Sequence, residues 1–138
     1  MKNMIRRVED DEPMIGEFIN KEFTDYALEN NVELNYDDFC FVEEEDGKIL
    51  GVITGRAYYD EVHVVDLIVD RSCRRSGLGS RLVAAVEEAY KGKGYGKITL
   101  TTFGFQAPEF YKKLGYQIEF VRENKDPRLS KYFLSKTL

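Results

Sequence analysis

One run of residues in this chain has the types and spacing to hold an anion. Arg74-Arg75-Ser76-Gly77-Leu78-Gly79 reads R-x-x-G-x-G and lies between a strand-like stretch and a helical one. Glycines let the backbone come close to a ligand, and the first turn of a helix carries N–H groups without intrahelical acceptors, so phosphate is the natural guest. A plain tight turn between strand and helix would use the same glycines. A nucleotide P-loop needs G-x-x-x-x-G-K-S/T and a dinucleotide fold needs G-x-G-x-x-G. Neither fits, because Leu82 stands three residues after Gly79. A second glycine-rich run, Gly92-Lys93-Gly94-Tyr95-Gly96-Lys97, follows a helix, where the dipole repels anions, and reads as a turn.

Other reactive residues are few. His63 is the only histidine, so any Ser-His-Asp or Cys-His triad would run through it, and no G-x-S-x-G surrounds a serine. Cys40 and Cys73 belong to no C-x-x-C or Cys/His cluster, which leaves them as ordinary thiols and predicts neither a zinc site nor a disulfide, hence no metal.

These residues need elements to position them. Residues 4–8 read as a short strand, and Asp10-Asp11-Glu12-Pro13 announces a helix with Met14, Ile15, Phe18, Ile19 and Phe23 on a core face. From 26 to 38 the periodicity weakens at Asn30-Asn31, predicting a second short helix and a loop. Segments 39–44 and 48–58 read as a hairpin about Asp46-Gly47, since glycine supplies positive φ. Residues 61–70 form a central strand, with alternation putting His63, Val65, Leu67 and Val69 on one face and Val62, Val64, Asp66 and Ile68 on the other.

Leu78, Leu82, Val83, Val86 and Tyr90 then mark a long amphipathic helix, residues 97–103 a strand, and Ala107, Phe110, Tyr111 and Leu114 a short helix between Pro108 and Gly115. Residues 116–122 and 132–138 are two last strands. The order β-α-α-β-β-β-α-β-α-β-β predicts an α/β (α+β) fold: a mixed, mostly antiparallel sheet flanked by helices.

With 138 residues, 43% hydrophobic and three prolines, the chain has material for one core, and residues 1–138 are expected to form a single domain, as a monomer or a homodimer. A net charge of −5 argues against nucleic acid as a general partner. Apolar runs are too short to span a membrane and no signal peptide opens the sequence, so a cytoplasmic location is expected.

The glycine run resembles the R/Q-x-x-G-x-G/A motif of the GNAT superfamily of acyl-CoA-dependent N-acyltransferases. A later motif of that family, A-x-x-F/L-Y-x-x-x-G-F/Y, is matched by Ala107-Pro108-Glu109-Phe110-Tyr111-Lys112-Lys113-Leu114-Gly115-Tyr116, about thirty residues downstream. The inferred element order matches the family over nearly the whole chain. This resemblance implies acetyl-CoA (coenzyme A) as co-substrate. Backbone groups of Leu67, Ile68 and Val69 would pair with the pantetheine arm, and the amides of Arg74, Arg75, Ser76, Gly77, Leu78, Gly79 and Ser80 would hold the pyrophosphate. The arginine side chains would either add charge there or simply be solvated.

By the same resemblance Tyr111 is the tyrosine near the CoA sulfur. A phenol of pKa about 10 can protonate a thiolate whose thiol has a pKa of about 8.5; core packing is its plainer use. Residues 63–80 resemble the corresponding stretch of arylalkylamine N-acetyltransferase, which makes His63 a candidate general base; a merely packed strand histidine is the alternative. The second histidine of that relative falls on Val65, and an asparagine common in the family falls on Gly104. Glu61 and Asp66 are fallback bases, although alternation separates Asp66 from His63 unless a bulge intervenes. A backbone amide near Val69 would hold the oxyanion, as in the family.

The implied activity is acetyl transfer to a primary amine of a small molecule, such as an aromatic amine, polyamine or antibiotic, by direct attack. Acetylation of a protein or peptide amine is the rival enzyme reading, and a non-catalytic CoA-binding or sensor module the rival of another class.

Overall fold

The structure is a computed structural model that describes residues 3–138. By its internal contacts the chain divides at Leu34 and Asn35 into two units.

The first unit holds one helix, α1 (Pro13–Glu29), with proline in its first turn and Asn30 at its end. The strand expected over residues 4–8 is not formed: Met4 and Ile5 stand exposed and no ladder includes them. A strand exists only where a partner takes up its N–H and C=O groups, and the β-forming side chains here are too few to supply one. The second short helix is also absent. α1 runs on through Tyr26, and Asn31, with φ +60°, turns the chain out of helical geometry. Met14, Ile15, Phe18, Ile19 and Phe23, expected in a core, are exposed, since a lone helix has no second element in its own unit to cover them.

The second unit is built on a six-stranded sheet in the order β1-β2-β3-β4-β6-β5. Its elements are β1 (Asp37–Glu45), β2 (Lys48–Tyr58), β3 (Glu61–Val69), α2 (Leu78–Tyr90), β4 (Lys97–Phe103), α3 (Pro108–Lys113), β5 (Gln117–Arg122) and β6 (Lys131–Thr137). Every neighbouring pair is antiparallel except β3 and β4. The β1-β2 hairpin closes on Asp46 and Gly47, both at positive φ, which matches the right-handed twist of the strands. Leu78, Leu82, Val83 and Val86 of α2 pack with Ile53, Ala57, Val62, Val64, Ile98 and Leu134 of the sheet in one apolar core.

Two departures from regular pairing shape the middle of this sheet. Along β3 the register slips, with Val64 opposite Gly55 but Asp66 opposite Thr54, so Val65 is the extra residue of a β-bulge. The alternation expected for residues 61–70 therefore breaks there. Val62 and Val64 share the core face with Leu67 and Val69, while Asp66 and Ile68 join His63 on the other. Gly55 permits this turn of the strand, because a Cβ there would lie 2.2 Å from the His63 carbonyl oxygen.

The second departure is at β4. It pairs with β3 only at Glu61–Lys97, Val62–Ile98 and His63–Thr99, yet it pairs with β6 along its whole length. Beyond His63 the sheet forks.

Candidate active site

The fork is where the motif residues gather. Between its arms lies a cavity of about 620 Å³ lined by Val64, Val65, Asp66, Leu67 and Ile68 of β3, Leu100, Thr101, Thr102 and Phe103 of β4, and Gln106, Ala107 and Tyr111. From Val64 on, the edge of β3 facing β4 has no strand partner, so its backbone groups are open to a ligand carrying amides of its own. A second cavity of about 720 Å³ shares Leu67, Ile68, Gln106, Ala107 and Tyr111 with the first and continues to Arg74, Arg75, Gly77, Leu78, Gly79 and Ser80. Of the ten residues expected to bind the cofactor, only Ser76 does not line it; its hydroxyl instead donates to the Cys73 carbonyl.

At the far end of this space α2 begins as an anion site would. Gly77 sits at the N-cap with φ +84° and no side chain caps the helix. The first intrahelical bond runs from Arg81 N–H to Gly77 C=O, 3.0 Å, which leaves the N–H groups of Leu78, Gly79 and Ser80 without helical acceptors. Gly79 has a packing reason as well: a Cβ there would come within 3.2 Å of the Phe110 ring, so glycine lets α3 close against the first turn of α2. Arg75 adopts φ +65°, a left-handed conformation that costs a non-glycine residue about 1 kcal/mol and that the surrounding turn must enforce.

The loop before α3 is fastened by backbone and polar contacts. Ala107 N–H donates to Thr102 Oγ1 (3.2 Å), Phe103 N–H to Gln106 Oε1 (3.0 Å) and Gly104 N–H to Ser130 C=O (2.9 Å). A Cβ on Gly104 would lie 2.4 Å from the Pro127 carbonyl, so the asparagine that the family motif would place here has no room. This sets Tyr111 at the junction of both cavities, its ring against Phe110 (5.0 Å between centroids) and Tyr116 (5.8 Å). Burial pushes the Tyr111 phenol up to about 12, so it carries its proton throughout the physiological range.

His63 lines neither cavity; it stands half-buried at the vertex of the fork, on the last paired residues of β3 and β4. Its Nδ1 is 2.8 Å from Thr99 Oγ1, and that hydroxyl donates to Glu61 Oε2 at 2.7 Å. Burial lowers the imidazole pKa below its ordinary value; Glu61 opposes this and Lys131 adds to it. Asp66, brought to the same face by the bulge, accepts from Thr54 Oγ1 (3.0 Å). No sequence motif includes Thr99; only the β3-β4 register brings it beside His63. Among the aromatic residues, Phe103 and Phe105 line the cavities, while Tyr59 pairs with Tyr36 through their hydroxyls, 2.9 Å apart.

The family model described as "Acetyltransferase (GNAT) family" matches residues 4–116. The chain belongs to this family. As a member it is an N-acetyltransferase, and its mixed, mostly antiparallel sheet with flanking helices is the expected fold. This acetyltransferase is 35% identical over 96 residues to blasticidin-S acetyltransferase of Streptomyces morookaense, covering 68% of this chain and 70% of the relative. It is likewise 35% identical to the crystal structure of an acetyltransferase from Bacillus cereus, with a TM-score of 0.78 over 96% of this chain and 98% of the other. An aminoglycoside 6'-N-acetyltransferase solved with coenzyme A shares the fold at a TM-score of 0.64 and 22% identity, over 72% of each chain.

No helix among the described residues is long and apolar enough to cross a membrane.

Proposed function

We propose that this acetyltransferase transfers the acetyl group of acetyl-CoA to a primary amine of a small molecule by direct attack. The observation that carries the reading is the pair of adjoining cavities that share Tyr111 and reach from the fork to the uncapped N-terminus of α2. Its parts fit the co-substrate. Free helix N–H groups with Arg74 and Arg75 beside them suit a pyrophosphate, and the unpaired edge of β3 suits the amide-bearing arm that follows.

Acetyl-CoA supplies a thioester, whose carbonyl carbon accepts the amine and whose sulfur leaves. The chain's own groups serve three tasks around that carbon. A backbone N–H near Val69 polarises the carbonyl oxygen and holds the developing oxyanion. His63 takes the proton that the amine must shed, through water, since it stands outside the cavity lining. Tyr111 donates to the departing sulfur. Free thiols ionise near about 8.5, so full transfer from a phenol at about 12 runs uphill unless the thiolate is desolvated too; the cavity that raises Tyr111 does the same to a sulfur beside it.

A small, cationic acceptor is supported by the net charge of −5 and by the relative named for blasticidin S. The test is to incubate the protein with acetyl-CoA and a panel of small amines, basic peptides included, and follow free CoA. The expected result is release with small amines, and a fall in kcat of about 100-fold in Tyr111→Phe. Binding of CoA with no release from any amine would overturn the enzyme mechanism in favour of a CoA-binding module, and release with peptides alone would overturn the small-molecule acceptor.

A further inference from the structure

We infer that Thr99 and Glu61 lock His63 in the tautomer protonated at Nδ1 and so present Nε2 as a bare lone pair. The proposal deepens the reading of His63 as general base, and its test has an arm that does not depend on that reading.

The argument is a proton count. A hydroxyl has one hydrogen to give, and a carboxylate can only accept. Thr99 Oγ1 lies 2.7 Å from Glu61 Oε2 and commits its hydrogen there. Towards His63 Nδ1, 2.8 Å away on its other side, the same oxygen has only lone pairs left. The hydrogen of that second contact must therefore come from the imidazole, so Nδ1 carries it. In a neutral ring the other nitrogen is then unprotonated.

Nε2 is also left available. No hydrogen bond to it is made among the described residues, and among them no buried side-chain nitrogen or oxygen lacks a partner, so Nε2 is not sealed in the interior. When Nε2 takes a proton, the resulting imidazolium keeps its Nδ1–H bond and gains the Glu61 carboxylate at one remove, a charge that favours the protonated ring. Lys131 opposes it, and Arg56 stands opposite His63 on β2. Glu61 is thus a partner that orients the base, rather than an alternative to it.

The three residues owe their meeting to backbone register. Glu61 and His63 are two apart on β3 and face the same side, and Thr99 is the β4 residue directly abreast of His63 in the short parallel ladder. Thr99 is buried, which shields the contacts from water. Thr99 and Glu61 touch neither ligand cavity, so they are positioning residues.

A chain with one histidine makes the tautomer directly readable. Uniformly 15N-labelled protein gives a single pair of imidazole nitrogens, which need no assignment to be told apart from other rings. In the wild type, above the His63 pKa, Nδ1 is expected to show the shift of a protonated nitrogen and Nε2 that of a bare one. Thr99→Val removes the acceptor and should move the ratio of tautomers about tenfold toward protonated Nε2, the size of effect expected from one hydrogen bond. Glu61→Gln lets the amide donate to Thr99, frees the hydroxyl to donate to Nδ1, and should give a mixture. Thr99→Ser should restore the wild-type pattern.

A wild-type ring protonated at Nε2, or a ratio that ignores Thr99→Val in a folded variant, would overturn the lock. Free CoA measured on the same samples separates this from the catalytic reading: the Nδ1–H pattern with no transfer to any amine upholds the lock and counts against His63 as base. A loss of kcat in Thr99→Val at unchanged KM, with the tautomer shifted, upholds both.

Discussion

At the scale of single residues, His63 and Tyr111 are both displaced by burial toward their neutral forms, and the two displacements act in opposite directions on the pH axis. Burial disfavours the imidazolium, so the lone pair is present to lower pH than for a free histidine; burial disfavours the phenolate, so the donor persists to higher pH. A base that must be neutral to work gives activity that rises with pH through its pKa. The kcat/KM profile is therefore expected to have an acid limb with its midpoint below the ordinary value of about 6.5, and His63→Ala should abolish that limb while Tyr111→Phe keeps it. A profile unchanged by His63→Ala would remove the residue from the mechanism. Both residues could be singled out from the sequence, one by its motif and one by its solitude. Thr99 could not, because nothing in a threonine-rich strand tells which threonine stands abreast of a histidine 36 residues earlier.

At the scale of elements, the bulge at Val65 decides what β3 offers to each side. A uniform alternation would have set His63 with Leu67 and Val69; the extra residue instead turns Leu67 and Val69 to the core and Asp66 and Ile68 to the face of His63. The hydrophobic pattern hides this, since Val62, Val64, Val65, Leu67, Ile68 and Val69 are apolar on both sides of the strand. Gly55 is its structural permission. In Gly55→Ala the new Cβ would meet the His63 carbonyl oxygen at 2.2 Å and the Phe39 ring at 2.4 Å, and the clash with backbone cannot be relieved by a rotamer. A loss of about 2–3 kcal/mol of stability is expected, read as a lowered midpoint in urea, together with weakened CoA binding measured by calorimetry. The β1-β2 hairpin, α2 and α3 were legible because their signals are local: Asp46-Gly47, the i, i+4 apolar rows, Pro108 and Gly115. Residues 4–8 misled because five residues of modest β character form a strand only if something pairs with them.

At the scale of the whole molecule, the same buried phenol should make alkaline solution destabilising. Tyr111 ionises near 10 in an unfolded chain and near 12 in the fold, so the folded state holds its proton more tightly. Its contribution is complete below pH 10 and is lost as pH climbs from 10 to 12, about 3 kcal/mol in all. Tyr116, raised by burial and by Glu87, acts in the same sense. Unfolding in urea at pH 8 and pH 11 should show the drop, and Tyr111→Phe should shrink it; an equal drop in that variant would assign the effect elsewhere.

Three residue pairs close the fork and join its two arms. One arm is carried by β1 and β2, the other by β5 and β6, and each arm is stiff because its own ladders are long. The angle at which β3 and β4 part beyond Glu61–Lys97 and His63–Thr99 therefore sets the width of the cavity between them. That width is fixed by backbone pairs that do not themselves line the cavity.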